Sequence, residues 1–204
     1  MSAFPPALMA QIRNRFAHVD HCPFQGDRIF FENAGGALTL KSVVETSATY
    51  AAIPDNQGRD NPAAKAMGEI IAKAKDDMRV FFNADGGQFF VGESGTELIF
   101  RLVRTAITGG KGGAIIGSTV EHPASRSATA HWAEKTGTPY TSVAHDDATG
   151  SVRPQDYAAH LTPEVRVATI LHTSPVTGIA NDVAGIAAAI RAVAPDAFII
   201  VDGI

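Results

Sequence analysis

The chain has 204 residues, a hydrophobic fraction of 45%, a charged fraction of 19% and a formal net charge of -4. This length and composition predict a folded protein with a full hydrophobic core and exclude an intrinsically disordered chain. The acidic balance, without any block of Lys or Arg, argues against binding to nucleic acid or to an anionic membrane.

The sequence also lacks features of secreted and membrane proteins. No apolar run approaches the length that crosses a bilayer, and the N-terminus lacks the order of regions found in a secretory signal. A single cysteine, Cys22, cannot form an internal disulfide, so we predict a cytoplasmic protein. His18 and His21 lie near it, but three residues without a fourth ligand are weak evidence for a metal, and we predict none.

Short β-branched runs alternate with longer Ala-rich segments, a pattern typical of strand and helix units in a parallel sheet. The predicted strands are 28–32, 88–92, 113–117, 140–144, 166–171 and 197–202. The predicted helices are 5–17, 39–53, 62–83, 95–107, 123–136, 154–160 and 183–193. We therefore predict an α/β fold with a mostly parallel sheet and helices on both of its faces.

The apolar run at 198–201 predicts a central strand covered on both faces. The sequence stops three residues after this run, and a central parallel strand normally feeds a helix that buries it. The fold is therefore expected to be incomplete at its C-terminus, and to need more polypeptide or a second chain.

The turn at 92–97 joins a predicted strand to an amphipathic helix and is the first candidate site. Free N–H groups at the helix start, the positive end of the helix dipole and the hydroxyls of Ser94 and Thr96 would together hold a phosphate, with Gly95 between them. A Ser94 that merely caps the helix explains the same residues equally well.

Two further candidates follow predicted strands, at the edge where open α/β sheets place their ligands. His122 precedes a proline that starts a helix, and an ordinary surface histidine is the alternative interpretation. Asp202 ends the most apolar strand, where a buried carboxylate is costly unless it is paired. A protonated ring nitrogen of a cofactor would be such a partner, and a helix N-cap is the alternative.

In this order along the chain, the elements resemble the first half of a pyridoxal-phosphate enzyme of the class V aminotransferase family, which includes cysteine desulfurases and selenocysteine lyases. The resemblance runs from about residue 28 to residue 204. The motifs that carry it are Phe-Phe-Glu-Asn-Ala-Gly-Gly at 30–36, Asn-Pro at 61–62, Ser-Gly-Thr-Glu at 94–97, Glu-His-Pro-Ala at 121–124, Leu-His-Thr-Ser-Pro-Val-Thr-Gly at 171–178 and Ile-Val-Asp-Gly at 200–203.

The resemblance implies a domain organisation and a cofactor. Residues 28–204 would form the N-terminal part of the large, cofactor-binding domain of a fold-type I enzyme, preceded by a helix and arm at 1–27. The cofactor would be pyridoxal 5'-phosphate. A small-molecule amino acid would be the substrate, and Asn33 and Ala34 would lie near it.

The resemblance also implies roles for the three candidate sites. Ser94, Gly95 and Thr96 would bind the cofactor phosphate. His122 would stack on the pyridine ring and shuttle a proton. Asp202 would pair with the pyridine nitrogen and keep it protonated, so that the ring accepts electrons from the substrate α-carbon.

Two departures from the family pattern are visible. Ser174 and Pro175 stand where the family often has an asparagine near the phenolic oxygen of the cofactor, and Ser174 or Thr173 would have to replace that contact. The Schiff-base lysine of the family lies beyond the aspartate, whereas Lys135 is the last lysine of this chain. Neither it nor Lys111 is suitably placed, so the lysine is expected in polypeptide beyond this chain.

Three functional hypotheses follow. The first is a pyridoxal-phosphate enzyme that acts on an amino acid as a desulfurase-like lyase, an epimerase or a transaminase, in a homodimer or with a second chain that carries the C-terminal half. The second is a non-catalytic scaffold or partner-binding protein with the same fold. The third is an α/β enzyme of another class that binds a different phosphorylated ligand at 94–96.

Overall fold

A computed structural model describes residues 4–33, 35–54, 58–110 and 112–203. The chain divides into two compact units, the first ending at Phe89 and the second beginning at Phe90. No helix in these described ranges combines the length and the apolar character that a bilayer crossing requires. The predicted arm at 1–27 forms only one part of the first unit, and its separation from residues 28–204 stays a prediction.

The first unit contains helices and one short hairpin. Its elements in chain order are α1 (Pro6–Arg13), β1 (His21–Cys22), β2 (Gly26–Asp27), α2 (Lys41–Ala51) and α3 (Pro62–Phe81). The strands β1 and β2 pair in antiparallel fashion. Helix α3 starts as predicted, because the Asn61 side chain accepts a hydrogen bond from the Ala64 N–H and Pro62 occupies the first helical position.

Two strand predictions are wrong. Residues 28–32 and 88–92 are not strands, and no strand in the described part of the chain pairs with them. Their large apolar side chains, such as Ile29 and Val91, are exposed rather than packed in a sheet. An apolar run has the propensity for a strand, but a strand forms only where a neighbouring ladder supplies hydrogen bonds.

Helix α1 is shorter than predicted. It ends at Arg13 instead of continuing to residue 17. Beyond it, Phe16 forms an isolated antiparallel bridge with Leu40, and the Ala17 N–H donates to the Thr39 carbonyl at 2.9 Å. The backbone therefore leaves the helix because the segment that precedes α2 offers it an alternative partner.

The second unit contains a parallel sheet with the strand order β4-β3-β5-β6. Its elements in chain order are α4 (Gly95–Thr108), β3 (Ala114–Ser118), α5 (Pro123–Thr136), β4 (Tyr140–Val143), α6 (Pro154–Ala158), β5 (Val165–Leu171), α7 (Val183–Val193) and β6 (Phe198–Asp202). The predicted elements from residue 95 onwards are thus confirmed, with boundaries displaced by no more than a few residues.

Alternate residues of each strand enter two separate cores, one on each face of the sheet. One core combines Ile115 and Val167 of the sheet with Val103 of α4 and with α5. The other combines Ile116 of the sheet with Ile186 of α7 and with Tyr157 of α6. Each fully buried aliphatic side chain contributes about 1.5–3 kcal/mol to folding. The prediction of helices on both faces is therefore confirmed.

Strand β6 lies at the edge of this sheet and pairs only with β5. Phe198 is 53% exposed and Val201 is 48% exposed. This exposure agrees with the expectation that the fold needs more polypeptide or a second chain at this strand. The central position of β6 in a larger sheet stays a prediction.

The order of the sheet creates a switch point between β3 and β5. The chain passes from β3 through α5 to β4 on one side, and then returns through α6 to β5 on the other side of β3. In open α/β sheets, ligands bind outside the carboxyl ends of the strands at such a point. The carboxyl ends of β3, β5 and β6 are therefore the expected place for a ligand.

Candidate functional site

The N-terminus of α4 faces the same edge as the carboxyl ends of the strands. Ala106 and Ile107, near the end of α4, line a small cavity together with Ala114 at the start of β3. The helix is about 21 Å long, from its 14 residues. Near its start, Ile99 shares a core with Ile200 of β6. Helix α4 therefore runs against the strand direction and presents its first turn toward the carboxyl end of the sheet.

The first turn of α4 is capped and accessible. Ser94 is the N-cap residue, and its hydroxyl accepts a hydrogen bond from the Glu97 N–H at 3.1 Å. Gly95 and Thr96 follow and are exposed. Gly92 packs against this turn so closely that an added Cβ would collide with Glu97 and Leu98. The capping alternative for Ser94 is thus correct, and it leaves open the binding of a phosphate by the same turn.

His122 has a capping role at the start of a helix. It is the N-cap residue of α5, and its Nδ1 accepts a hydrogen bond from the Ala124 N–H at 3.1 Å. The side chain is half-buried. Because Nδ1 is an acceptor, the neutral ring carries its proton on Nε2. The cap therefore fixes both the orientation and the tautomer of the imidazole.

Asp202 is anchored through its backbone and its side chain. Its carbonyl accepts a hydrogen bond from the His172 N–H at 2.8 Å, which ties the end of β6 to the end of β5. Its Oδ2 accepts a hydrogen bond from the hydroxyl of Ser125, on α5, at 2.9 Å. The alternative of a helix N-cap stays a prediction, because a helix capped by Asp202 would lie beyond residue 203, where the described chain ends.

Glu121 is a buried acid that the sequence analysis did not select. It is 1% exposed, and its Oε1 accepts hydrogen bonds from the Ser118 N–H at 2.8 Å and the Thr169 hydroxyl at 2.7 Å. Burial raises the pKa of Glu121 to about 7, the two hydrogen bonds act against this shift, and the negative charge of Asp202 adds to it. Its position directly before His122 was the feature of the sequence that could have identified it as a candidate site residue.

Gly117 provides the space that Glu121 occupies. A Cβ at Gly117 would lie 2.5 Å from the Thr169 hydroxyl and 2.9 Å from Glu121 Oε1. Two tyrosines belong to the same polar group. Burial raises the pKa of Tyr140 and of Tyr157, and the nearby charge of Glu121 adds to both shifts. The carboxyl of Glu121 is therefore enclosed between β3 and β5, next to the candidate site.

The hydroxyl of Ser174, one of the two candidates to replace the asparagine of the family pattern, is hydrogen-bonded to other residues of the chain. It is buried, its hydroxyl donates to the Val120 carbonyl at 2.7 Å, and it accepts from the Val176 N–H at 3.1 Å. Both functions of the hydroxyl are used to shape the loop after β5. Thr173, the other candidate for this contact, is exposed.

The remaining predicted residues have more limited outcomes. Asn33 lies in the first unit and is exposed, and Ala34 lies outside the described residues, as does Lys111. Lys135 belongs to the last turn of α5, the far end from His122, and its Nζ lies 5.8 Å from the centre of the Trp132 ring. The substrate role of Asn33 and Ala34 stays a prediction.

No group of three or more potential metal ligands converges anywhere in the described ranges. Near the single cysteine, the His21 Nδ1 lies 3.2 Å from the Asp27 carboxylate, and both side chains are exposed. The expected absence of a metal stays a prediction.

Comparison with known proteins places this arrangement in context. The family model described as aminotransferase class-V matches residues 29–204. The cysteine desulfurase-like protein ustD of Aspergillus flavus is 29% identical over 194 residues, which cover 88% of this chain and 42% of that protein.

Solved structures share the fold. The apo cysteine desulfurase from Thermococcus onnurineus NA1 has a TM-score of 0.79 and 17% identity over 100% of this chain and 48% of that one. A C-DES mutant with glycine covalently linked to its PLP cofactor has a TM-score of 0.75 and 20% identity over 94% of this chain and 49% of that one. The chain spans about half the length of the proteins that it matches.

Proposed function

Because the chain belongs to the class V aminotransferase family, we propose that it forms part of the active site of a pyridoxal-phosphate enzyme that acts on an amino acid. The family uses pyridoxal phosphate, as the sequence predicted. Among the reactions considered, we favour a desulfurase-like lyase over an epimerase or a transaminase, because the relatives are named as cysteine desulfurases. The observation that carries the proposal is that the first turn of α4, His122 and Asp202 all lie at the carboxyl end of the parallel sheet.

The chemistry of these groups fits the cofactor. Its phosphate is an anion, and the exposed first turn of α4 presents N–H groups and the positive end of a helix dipole. Gly95 and Thr96 would donate to the phosphate from this turn. The Ser94 hydroxyl accepts from Glu97, and its own proton remains to be donated to the phosphate.

Asp202 would hold the ring nitrogen in its cationic form. The His172 N–H holds the backbone carbonyl of Asp202, and the Ser125 hydroxyl of α5 holds its carboxylate. When bound, the cofactor supplies an electron sink for the α-carbon of the amino acid. The contribution of Asp202 is a negative charge of fixed position beside the ring nitrogen.

His122 would pack against the flat face of the ring. Its imidazole is fixed by the Ala124 N–H, so stacking costs little further side-chain freedom. The Nε2 atom carries the proton of the neutral ring and would donate a hydrogen bond on the substrate side. For His122 to shuttle a proton there, Nδ1 would have to leave the Ala124 N–H and take up a second proton, so that Nε2 can deliver its own.

The lysine that would hold the cofactor covalently is proposed to lie outside residues 1–204. Lys135 is separated from His122 by almost the full length of α5, which is about 21 Å for its 14 residues. A homodimer, a second chain with the C-terminal half and a cytoplasmic location remain part of the same proposal.

The proposal is tested by titrating the purified chain with pyridoxal phosphate and, in parallel, with pyridoxal, followed by absorbance. We expect saturable binding of pyridoxal phosphate, competition by inorganic phosphate, and at least tenfold weaker binding of pyridoxal, because it lacks the group that α4 would hold. D202N should weaken binding of pyridoxal phosphate.

Two outcomes would replace the proposal. Equal affinity for both compounds, unaffected by D202N, would indicate random imines on surface lysines and would favour a non-catalytic scaffold. Displacement of pyridoxal phosphate by a different phosphorylated metabolite at far lower concentration would favour an enzyme of another class. Borohydride reduction and intact mass measurement under denaturing conditions would then show whether any polypeptide carries the cofactor covalently.

A further inference from the structure

Ser125 connects His122 and Asp202, the two residues that would contact the cofactor ring under the proposed function. It lies three residues after His122 in the first turn of α5, and it is 1% exposed. Its hydroxyl crosses from this helix to β6 and donates to Asp202 Oδ2 at 2.9 Å. The two residues are 77 positions apart in the sequence.

The direction of this hydrogen bond is unusual for a helical serine. Such hydroxyls often bond to a carbonyl of their own helix, as Thr129 does one turn later by donating to the Ser125 carbonyl at 2.8 Å. Ser125 instead uses its proton on a carboxylate of another element. A donor on one oxygen restricts rotation of the carboxyl group about the Cβ–Cγ bond of Asp202.

The turn that carries Ser125 is itself anchored. Glu121, four residues earlier, binds the end of β3 through the Ser118 N–H and binds β5 through the Thr169 hydroxyl. The Ala124 N–H fixes the His122 ring on the same turn. One short segment therefore determines the positions of the imidazole and of the carboxylate together.

We propose that Ser125 is a positioning residue for Asp202, which orients the carboxylate toward a cationic ring nitrogen and aligns it with the His122 imidazole. This inference rests on the proposed function. A purely structural tie between α5 and β6 is the competing explanation, and it predicts an effect on stability alone.

The test compares the affinity for pyridoxal phosphate with the affinity for 1-deaza-pyridoxal phosphate, in which CH replaces the ring nitrogen. The ratio of the two affinities measures recognition of the nitrogen and is independent of the phosphate contact. We expect the native chain and S125T, which keeps the hydroxyl, to prefer pyridoxal phosphate. S125A should lower this preference by about tenfold, the loss expected for a hydrogen bond to a charged group.

Thr129→Val is the matched control, because it removes from the same helix a buried hydroxyl that donates to the Ser125 carbonyl rather than to a carboxylate. It should lower the melting temperature about as much as S125A does and leave the affinity ratio unchanged. If S125A does not fold, S125C keeps the volume with a weaker donor and should give an intermediate ratio.

The outcomes separate this inference from the proposed function. If D202N abolishes the preference while S125A retains it in full, the positioning role is wrong and the proposed function stands. If the native chain shows no preference for the compound with the ring nitrogen, both the pairing of Asp202 and the role of Ser125 are wrong.

Discussion

The Thr169 hydroxyl on β5 donates to Glu121 Oε1, at 2.7 Å, and so joins the loop after β3 to the middle of a neighbouring strand. The two residues are 48 positions apart in the sequence, and both are buried. A carboxyl in this position affects the stability of the fold as well as the electrostatics of the candidate site. The first prediction concerns that acid.

The free energy of unfolding should decrease as pH rises, because the pKa of Glu121 is raised from 4.5 to about 7 in the folded chain. The folded state then holds a proton that the unfolded state releases. The contribution of Glu121 is complete below about pH 4.5 and is lost as pH rises through about 7, with a total of about 3 kcal/mol.

E121Q keeps an oxygen acceptor for Thr169 and Ser118 but cannot ionise. Urea unfolding of both proteins should show curves that diverge between about pH 5 and about pH 8, with E121Q the less dependent on pH. Parallel curves for the two proteins would show that Glu121 titrates normally.

Substitutions at Ser94 should separate helix capping from phosphate binding. S94D preserves a capping oxygen and should keep the stability of the native chain, whereas S94A should cost about 0.5–2 kcal/mol. The added negative charge of S94D should nevertheless weaken binding of pyridoxal phosphate by more than about tenfold, because it repels the phosphate. Calorimetry and an absorbance titration measure the two effects; undiminished binding to S94D would remove this turn from the phosphate site.

Substitutions at His122 should separate its cap from its ring. Asparagine also caps a helix, so H122N should unfold within about 0.5 kcal/mol of the native chain, and H122A should be about 1 kcal/mol less stable. Both variants lack the imidazole. Both should therefore lose the change in absorbance and circular dichroism of bound pyridoxal phosphate that a stacked ring produces. A native spectrum from H122N would show that the ring does not stack.

Gly117 should not tolerate a side chain. G117A introduces a Cβ at 2.5 Å from the Thr169 hydroxyl, so a buried strand or the Glu121 carboxyl must move, at a cost of about 1–3 kcal/mol. Gly203 directly follows β6 and serves as the control, because a Cβ there would meet nothing within 4 Å. G203A should therefore stay within about 0.5 kcal/mol of the native chain in the same denaturation experiment. Equal effects of the two substitutions would contradict the close packing at Gly117.

Local patterns were sufficient for most of the second unit. Its strands are short β-branched runs, and its helices start at residues with clear capping chemistry, such as Asp182, whose side chain accepts from the Gly185 N–H. The same patterns failed at 28–32 and 88–92, because an apolar run does not reveal whether a neighbouring strand exists to pair with it.

The candidate site was predictable in part for a similar reason. His122 and Asp202 stand directly after predicted strands, and a parallel sheet brings such positions to one edge. Their partners were not predictable. The contact between Ser125 and Asp202 and the contact between Thr169 and Glu121 join residues far apart in the chain, and neither follows any local periodicity.

The Ser118 N–H donates to the carboxyl of Glu121. A backbone amide bonded to a carboxylate resonates at a different frequency from one bonded to a carboxylic acid, so this single proton is a built-in reporter in NMR spectra. Any change of charge beside Asp202 that alters the ionisation of Glu121 would be visible there, without a label or a chromophore. The Ser118 amide thus makes the charge of the Glu121 carboxyl directly observable.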